Sequence, residues 1–224
     1  MTLKAVVFDL DDTLYDSKKY FSSAFKQIAR FLANRFSPPE EQVLETLWSV
    51  FLSKGSLYPK LFNDVLAFYN LDNPDCLKTL VDMFHNAPVD SLTLYEDVKN
   101  VLPWLALRYR LGLITNGYPE MQRRKVMALG LDRLFQVQIY TAEFGKPKPD
   151  KFGYQHAVTI VNVKPEECVY VGDNPFVDFT GAKEVGMYTV RMLRGEFAEV
   201  RTNSEFIDIE VKNFYELMER LRTW

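Results

Sequence analysis

Ala5-Val6-Val7-Phe8-Asp9-Leu10-Asp11-Asp12-Thr13-Leu14-Tyr15 is the stretch on which this 224-residue chain turns. A valine-rich apolar run breaks, within a few positions, into three carboxylates and a hydroxyl. Nearly continuous apolar residues fit a strand covered on both faces better than an amphipathic helix. The abrupt acids then mark the carboxyl end of that strand as the place for chemistry.

Similar runs recur at Tyr109 to Thr115, Phe135 to Tyr140, Cys168 to Val171 and Tyr188 to Val190. Between them lie segments with apolar residues at three- and four-residue spacing: Asp97 to Leu107, Glu120 to Leu129, Lys151 to Val161 and Val177 to Val185. Strand followed by helix, repeated, predicts an α/β fold with a Rossmann-like parallel sheet and helices on both faces. After Phe206 to Ile209 a last helix is expected, where Asn213 and Glu216 have capping-box spacing ahead of Leu217, Met218 and Leu221.

Between Ser17 and Pro88 the texture changes, because the apolar positions follow helical spacing throughout. Phe21, Phe25, Ile28 and Leu32 mark one helix, and Val43, Leu47, Val50 and Phe51 a second. Ser37-Pro38-Pro39-Glu40 predicts a capping box with proline at the first helical position of that second helix. A third is expected from Tyr58 to Tyr69, and Asn73-Pro74-Asp75 opens a fourth through Leu77, Leu80, Val81 and Phe84. Short connections predict a small helical bundle over 17–91, inserted into a discontinuous core of 1–16 and 92–224. Tyr20, Trp48, Tyr58 and Phe62 are expected in the bundle's interior.

The net charge of -3 gives no overall attraction to nucleic acid or to an anionic membrane. No run is long enough to span a bilayer, and Asp9 interrupts the first apolar stretch too early for a secretory signal. Cys76 and Cys168 lack metal or redox spacing, which fits a reduced, cytoplasmic protein. His85 and His156 have no partners at metal spacing, and Arg123-Arg124-Lys125 is expected to be a solvated helix face.

Ligands of open parallel sheets bind outside the carboxyl ends of the strands. There the chain offers Asp9 and Asp11, then Thr115-Asn116-Gly117, then Asp173, Asn174 and Asp178. Acids gathered at one rim call for a cation, and oxygen ligands suit Mg²⁺. The turn after Thr115 leads into a helix at Pro119, whose first N–H groups suit a phosphate. Lys146 and Lys148, in Gly145-Lys146-Pro147-Lys148-Pro149-Asp150, compete to supply a balancing ammonium.

These four clusters, in this order, resemble the motifs of the haloacid dehalogenase superfamily, most closely its phosphatase branch. The inserted bundle resembles that family's small helical cap. The resemblance implies that Asp9 attacks phosphorus and forms an aspartyl-phosphate, while Asp11 protonates the leaving oxygen and later activates water. It also implies Mg²⁺ held by Asp9, the Asp11 carbonyl and Asp173. Thr115, the Asn116 N–H and Lys146 would bind phosphate, with the motif match favouring Lys146 over Lys148. Asp178 and Asn174 would stand in an outer layer, and Asp12 would only form the turn. The implied substrate is a small phosphorylated metabolite, such as a phosphosugar or nucleoside monophosphate, with the cap closing over the leaving group.

Two other chemistries fit the same fold. A dehalogenase attacks carbon and expels halide, which needs no proton from Asp11. A phosphomutase hands the phosphoryl group to a sugar, and only its products separate it from a phosphatase. A non-catalytic phosphate-binding module would have no use for Asp11. A calcium loop fails at Leu14, where glycine is needed, and at Tyr20, where a bidentate glutamate belongs. Neither a GxxxxGK[ST] loop nor a GxGxxG fingerprint occurs. The sequence carries no signal for oligomeric state.

Overall fold

The computed structural model describes residues 2–71, 73–202 and 205–224. Among them six strands make one parallel sheet: β1 (Ala5–Phe8), β2 (Arg110–Thr115), β3 (Val137–Tyr140), β4 (Cys168–Gly172), β5 (Tyr188–Met192) and β6 (Ile209–Val211). Their order is β3-β2-β1-β4-β5-β6. The chain therefore steps outward from β1 in one direction through β3, returns, and steps outward in the other. In open parallel sheets the place beside β1 where this reversal occurs, at the strands' carboxyl ends, is where ligands bind.

The chain divides into two compact units, one holding residues up to Ser17 with Leu92–Trp224, the other Lys18–Ser91. In the first, Val6, Val7, Phe8, Val169, Tyr170 and Val171 are completely buried. Each large apolar side chain so buried contributes about 1.5–3 kcal/mol. The helices of this unit are α5 (Glu96–Ala106), α6 (Pro119–Ala128), α7 (Phe152–Val161), α8 (Thr180–Val185) and α9 (Phe214–Thr223), numbered after the four of the other unit. Val7 packs in one cluster with Tyr154 and Ala157 of α7, whereas Phe8, one residue on, stacks on Phe214 of α9 at 5.7 Å. Alternation along β1 thus feeds helices on both faces, as the sequence pattern requires.

The second unit is helical: α1 (Lys18–Phe36), α2 (Glu40–Lys54), α3 (Leu61–Phe68) and α4 (Pro74–His85). Phe25, Ile28 and Leu32 of α1 meet Val43, Leu47 and Phe51 of α2, Val65 of α3 and Leu80 of α4 in one core. Tyr20 is buried and donates to the Phe84 carbonyl at 2.5 Å, while Trp48, Tyr58 and Phe62 are partly buried against the core. Asn73 caps α4 through its side chain, with Pro74 in the first turn.

Two expected helix starts are corrected. Ser37 does not cap α2; it takes φ 67° and donates its N–H to Ala33, terminating α1 in the left-handed manner. Pro39 instead stands before α2, without a side-chain cap. The third helix begins at Leu61 rather than Tyr58, because Pro59 disfavours helical backbone at the residue before it. The Tyr58 hydroxyl reaches forward to Asp64 at 2.8 Å. No described helix is long and apolar enough to cross a membrane.

Candidate active site

Strand pairing fixes the first acid. The Asp9 N–H donates to the Val171 carbonyl at 2.9 Å, so Asp9 extends β1 beside β4 and its carboxylate emerges next to the Gly172-Asp173 end of that strand. Asp9, Asp173 and Asp178 lie together, with one oxygen of each within 4.8 Å of the others. Gly172 makes this approach possible, because a Cβ there would sit 2.4 Å from an Asp178 oxygen.

One ammonium serves the cluster, and it belongs to Lys148. Its Nζ donates to Asp9 Oδ1 at 2.5 Å, to Asp178 Oδ1 at 2.6 Å and to the Tyr170 hydroxyl at 3.1 Å, which uses all three of its donors. The expectation for Lys146 is corrected: it is exposed and lies 3.7 Å from Asp150, on the outside of the same segment. The chain turns between them, with the Asp150 N–H donating to the Pro147 carbonyl at 2.9 Å. The Asn116 side chain then grips Lys148 main chain at two points, accepting its N–H at 2.9 Å and donating to its carbonyl at 3.2 Å. The side-chain amide of Asn116 thus fixes the segment that carries Lys148, a role separate from the one expected of its main-chain N–H.

The charges do not balance within these groups. Burial pushes Asp9 up to about 7; Lys148 opposes this, while Asp178 and Asp11 add to it. Asp173 is raised well above the ordinary range, first by burial and then by Asp178, Asp9 and Asp12, with the Thr13 hydroxyl at 3.1 Å only partly offsetting it. Burial alone would lower Lys148, but Asp178 and Asp9 outweigh it and keep the lysine charged. Three buried carboxylates around one ammonium leave surplus negative charge on hard oxygen donors, a setting that fits Mg²⁺. Asp9 and Asp173 are the carboxylates with acceptor capacity to spare. Asp178 already accepts from Lys148, from Tyr170 at 3.0 Å and from the Asn174 N–H at 2.9 Å, which suits an orienting role. Asn174 contributes that N–H and an Asx turn closed by Phe176 N–H at 3.0 Å.

Asp11 faces a different neighbourhood. Its Oδ1 accepts from Lys125 Nζ at 2.8 Å and from the Tyr15 hydroxyl, and its Oδ2 from Gln122 Nε2 at 2.6 Å. Burial works to raise its pKa, but Lys125 and these hydrogen bonds prevail and hold it below the ordinary carboxylate range. The same Gln122 Nε2 lies 2.6 Å from Thr115 Oγ1 at the end of β2. Asp12 shapes the turn, with φ 57° and Oδ1 accepting the Ser17 N–H at 2.9 Å.

Lys125 corrects the expectation of a solvated Arg123–Lys125 face, since it is only 4% exposed. Arg123 does face outward, paired with Glu143 and lying over the Tyr140 ring. The signal was present: Lys125 falls four residues after Met121 and four before Leu129, on the apolar stripe of α6, and Gln122 adjoins that stripe. Polar groups on a buried stripe need partners, and Asp11 supplies them.

Residues 6–192 match the family described as haloacid dehalogenase-like hydrolase. A glyceraldehyde 3-phosphate phosphatase of Methanocaldococcus jannaschii is 31% identical over 220 residues, covering 97% of this chain and 96% of that protein. An N-acylneuraminate-9-phosphatase of Rattus norvegicus is 28% identical over 198 residues, covering 83% and 80%. Among solved structures, a HAD phosphatase from Thermococcus onnurineus superposes with a TM-score of 0.69 at 26% identity, covering 98% of each chain.

Proposed function

Because the chain belongs to the haloacid dehalogenase-like hydrolases, we propose that it is a Mg²⁺-dependent phosphatase that moves the phosphoryl group of a small phosphosugar to Asp9 and then to water. The observation that carries this reading is the separation of two carboxylates by environment. Asp9 sits against Lys148 in the buried acidic cluster, and Asp11, two residues on, sits against Lys125, Gln122 and Tyr15. Two acids held differently can take different roles, one as nucleophile and one as proton carrier. The names of the relatives support both the phosphatase class and the phosphosugar.

Lys148 orients the Asp9 carboxylate and offsets its charge as an anionic substrate approaches. Held by Asp9, Asp173 and the Asp11 carbonyl, Mg²⁺ would supply charge neutralisation and alignment of the phosphoryl group. Thr115 binds a phosphoryl oxygen from the end of β2. In the first half, Asp9 forms a bond to phosphorus as the alcohol leaves, and Asp11 gives that oxygen its proton. In the second, Asp11 takes a proton from the water that attacks the aspartyl-phosphate. The resting site favours ionised Asp11, the form needed for the second half. The arriving phosphate dianion, a like charge, raises Asp11 toward the protonated form that the first half needs. We assign discrimination among phosphate esters to the helical unit.

The test is phosphate release, with and without Mg²⁺, over phosphosugars, nucleoside monophosphates and phosphorylated organic acids, with Asp9→Asn as the blank. Release from phosphosugars by the native chain alone is the expected result. Equal release by Asp9→Asn, or transfer to a second sugar in place of water, contradicts the reading.

A further inference from the structure

Gln122 is buried on α6, at 1% exposure, and its amide is shared between two groups of the site. Nε2 stands 2.6 Å from Asp11 Oδ2 and 2.6 Å from Thr115 Oγ1. An amide turned the other way would set Oε1 against the Asp11 carboxylate, so the orientation follows from charge. Among the described residues no donor reaches Oε1, although it is buried. A buried acceptor left without a donor weakens the fold, and an apolar residue of the same length would avoid that cost. The presence of glutamine is therefore explained by its Nε2 and not by packing.

We infer that Gln122 is a positioning residue that ties the proton carrier Asp11 to the phosphate-binding Thr115, so that a phosphoryl group seated on Thr115 meets Asp11 in one orientation. This rests on the phosphatase reading above. Lys125 and the Tyr15 hydroxyl hold the other oxygen, Oδ1. Contacts on both oxygens stop rotation of the carboxylate, and only the Gln122 contact refers that orientation to the end of β2. Proton transfer to a leaving oxygen needs a donor within hydrogen-bond reach, so the benefit of this tie depends on how much the leaving group needs a proton.

The experiment compares Gln122→Met and Gln122→Leu with the native chain on an alkyl phosphate and on 4-nitrophenyl phosphate, in Mg²⁺, with thermal melting of each protein as a fold check. The nitrophenolate departs with little help from an acid. Both variants should melt within a few degrees of the native temperature, because relief of the buried Oε1 is set against the donor that Asp11 and Thr115 lose. Their kcat on the alkyl phosphate should fall about 10- to 100-fold, against about threefold or less on the aryl phosphate, with KM for both nearly unchanged. Equal losses on the two esters, or no loss, overturn the inference while leaving the phosphatase reading standing. A native chain that releases no phosphate from either ester overturns both. If either variant melts far below the native protein, packing explains the glutamine and the inference is overturned.

Discussion

The ammonium of Lys148 stands 2.5 Å from the carboxylate of Asp9, 139 positions earlier in the chain, and both groups are buried. One cation thereby joins the end of β1 to the segment that follows β3, and through Asp178 to the loop after β4. The site depends on this contact electrostatically, since Lys148 is the only opposite charge bonded to Asp9 among the described residues.

Lys148→Met should lower kcat/KM for phosphate release by at least about 100-fold, as expected when a preorganised charge is removed. It should also destabilise the protein by about 3–5 kcal/mol at neutral pH, because buried carboxylates lose their counter-charge. The stability loss should shrink at pH 5, where those carboxylates take up protons. Lys146→Met should leave activity and melting temperature near native values, because that lysine is exposed. Steady-state kinetics and melting of the two variants check the choice between the lysines.

Mg²⁺ should raise the melting temperature, and the shift should be larger at pH 8 than at pH 5.5. Asp9 is pushed up to about 7 and Asp173 is raised as well, so at the lower pH a cation must displace protons to bind. Asp173→Asn should abolish most of the shift. Scanning calorimetry with and without Mg²⁺ at the two pH values provides the check.

Asp97 supplies a second pH dependence, at a carboxylate given no part in the phosphate chemistry. Its carboxylate accepts from Arg194 at 2.5 Å and from the Phe214 N–H at 2.7 Å, fastening α5 to the start of α9. Burial acts to raise its pKa, but these partners prevail and hold it low. A group whose folded pKa is depressed stabilises the fold above its unfolded pKa, near 4, and loses that contribution as pH falls through the folded value. Asp97→Ala should cost about 1–3 kcal/mol at pH 7 and progressively less below about pH 4. Urea unfolding of native and variant proteins from pH 7 to pH 2.5 measures the difference.

The contrast between Asp9 and Lys148 also shows how much the amino-acid pattern discloses. Asp9 and Asp173 follow valine-rich runs, and parallel pairing of β1 with β4 brings such strand ends together, so their meeting was legible. The unbroken apolar run through Val7 and Phe8 likewise announced cover on both faces of the strand. The motif match pointed to Lys146 and away from Lys148, because the turn at Pro147 and the two-point grip of Asn116 are tertiary features. Lys125 was hidden for a related reason. A lysine beside two arginines looks solvated until the stripe from Met121 to Leu129 is traced and a buried acid is found opposite. Ser37 failed because a local cap signature competed with the need to terminate α1 before two prolines.

The central claim is that Asp9 carries the phosphoryl group between substrate and water. Rapid acid quench of the native chain turning over a small phosphosugar in Mg²⁺, followed by peptide mapping with mass spectrometry, tests it most directly. A phosphoryl group on Asp9, formed early in turnover and absent from Asp9→Asn, is the predicted result. Rapid turnover with no such adduct at any quench time, or an adduct on another residue, would contradict it.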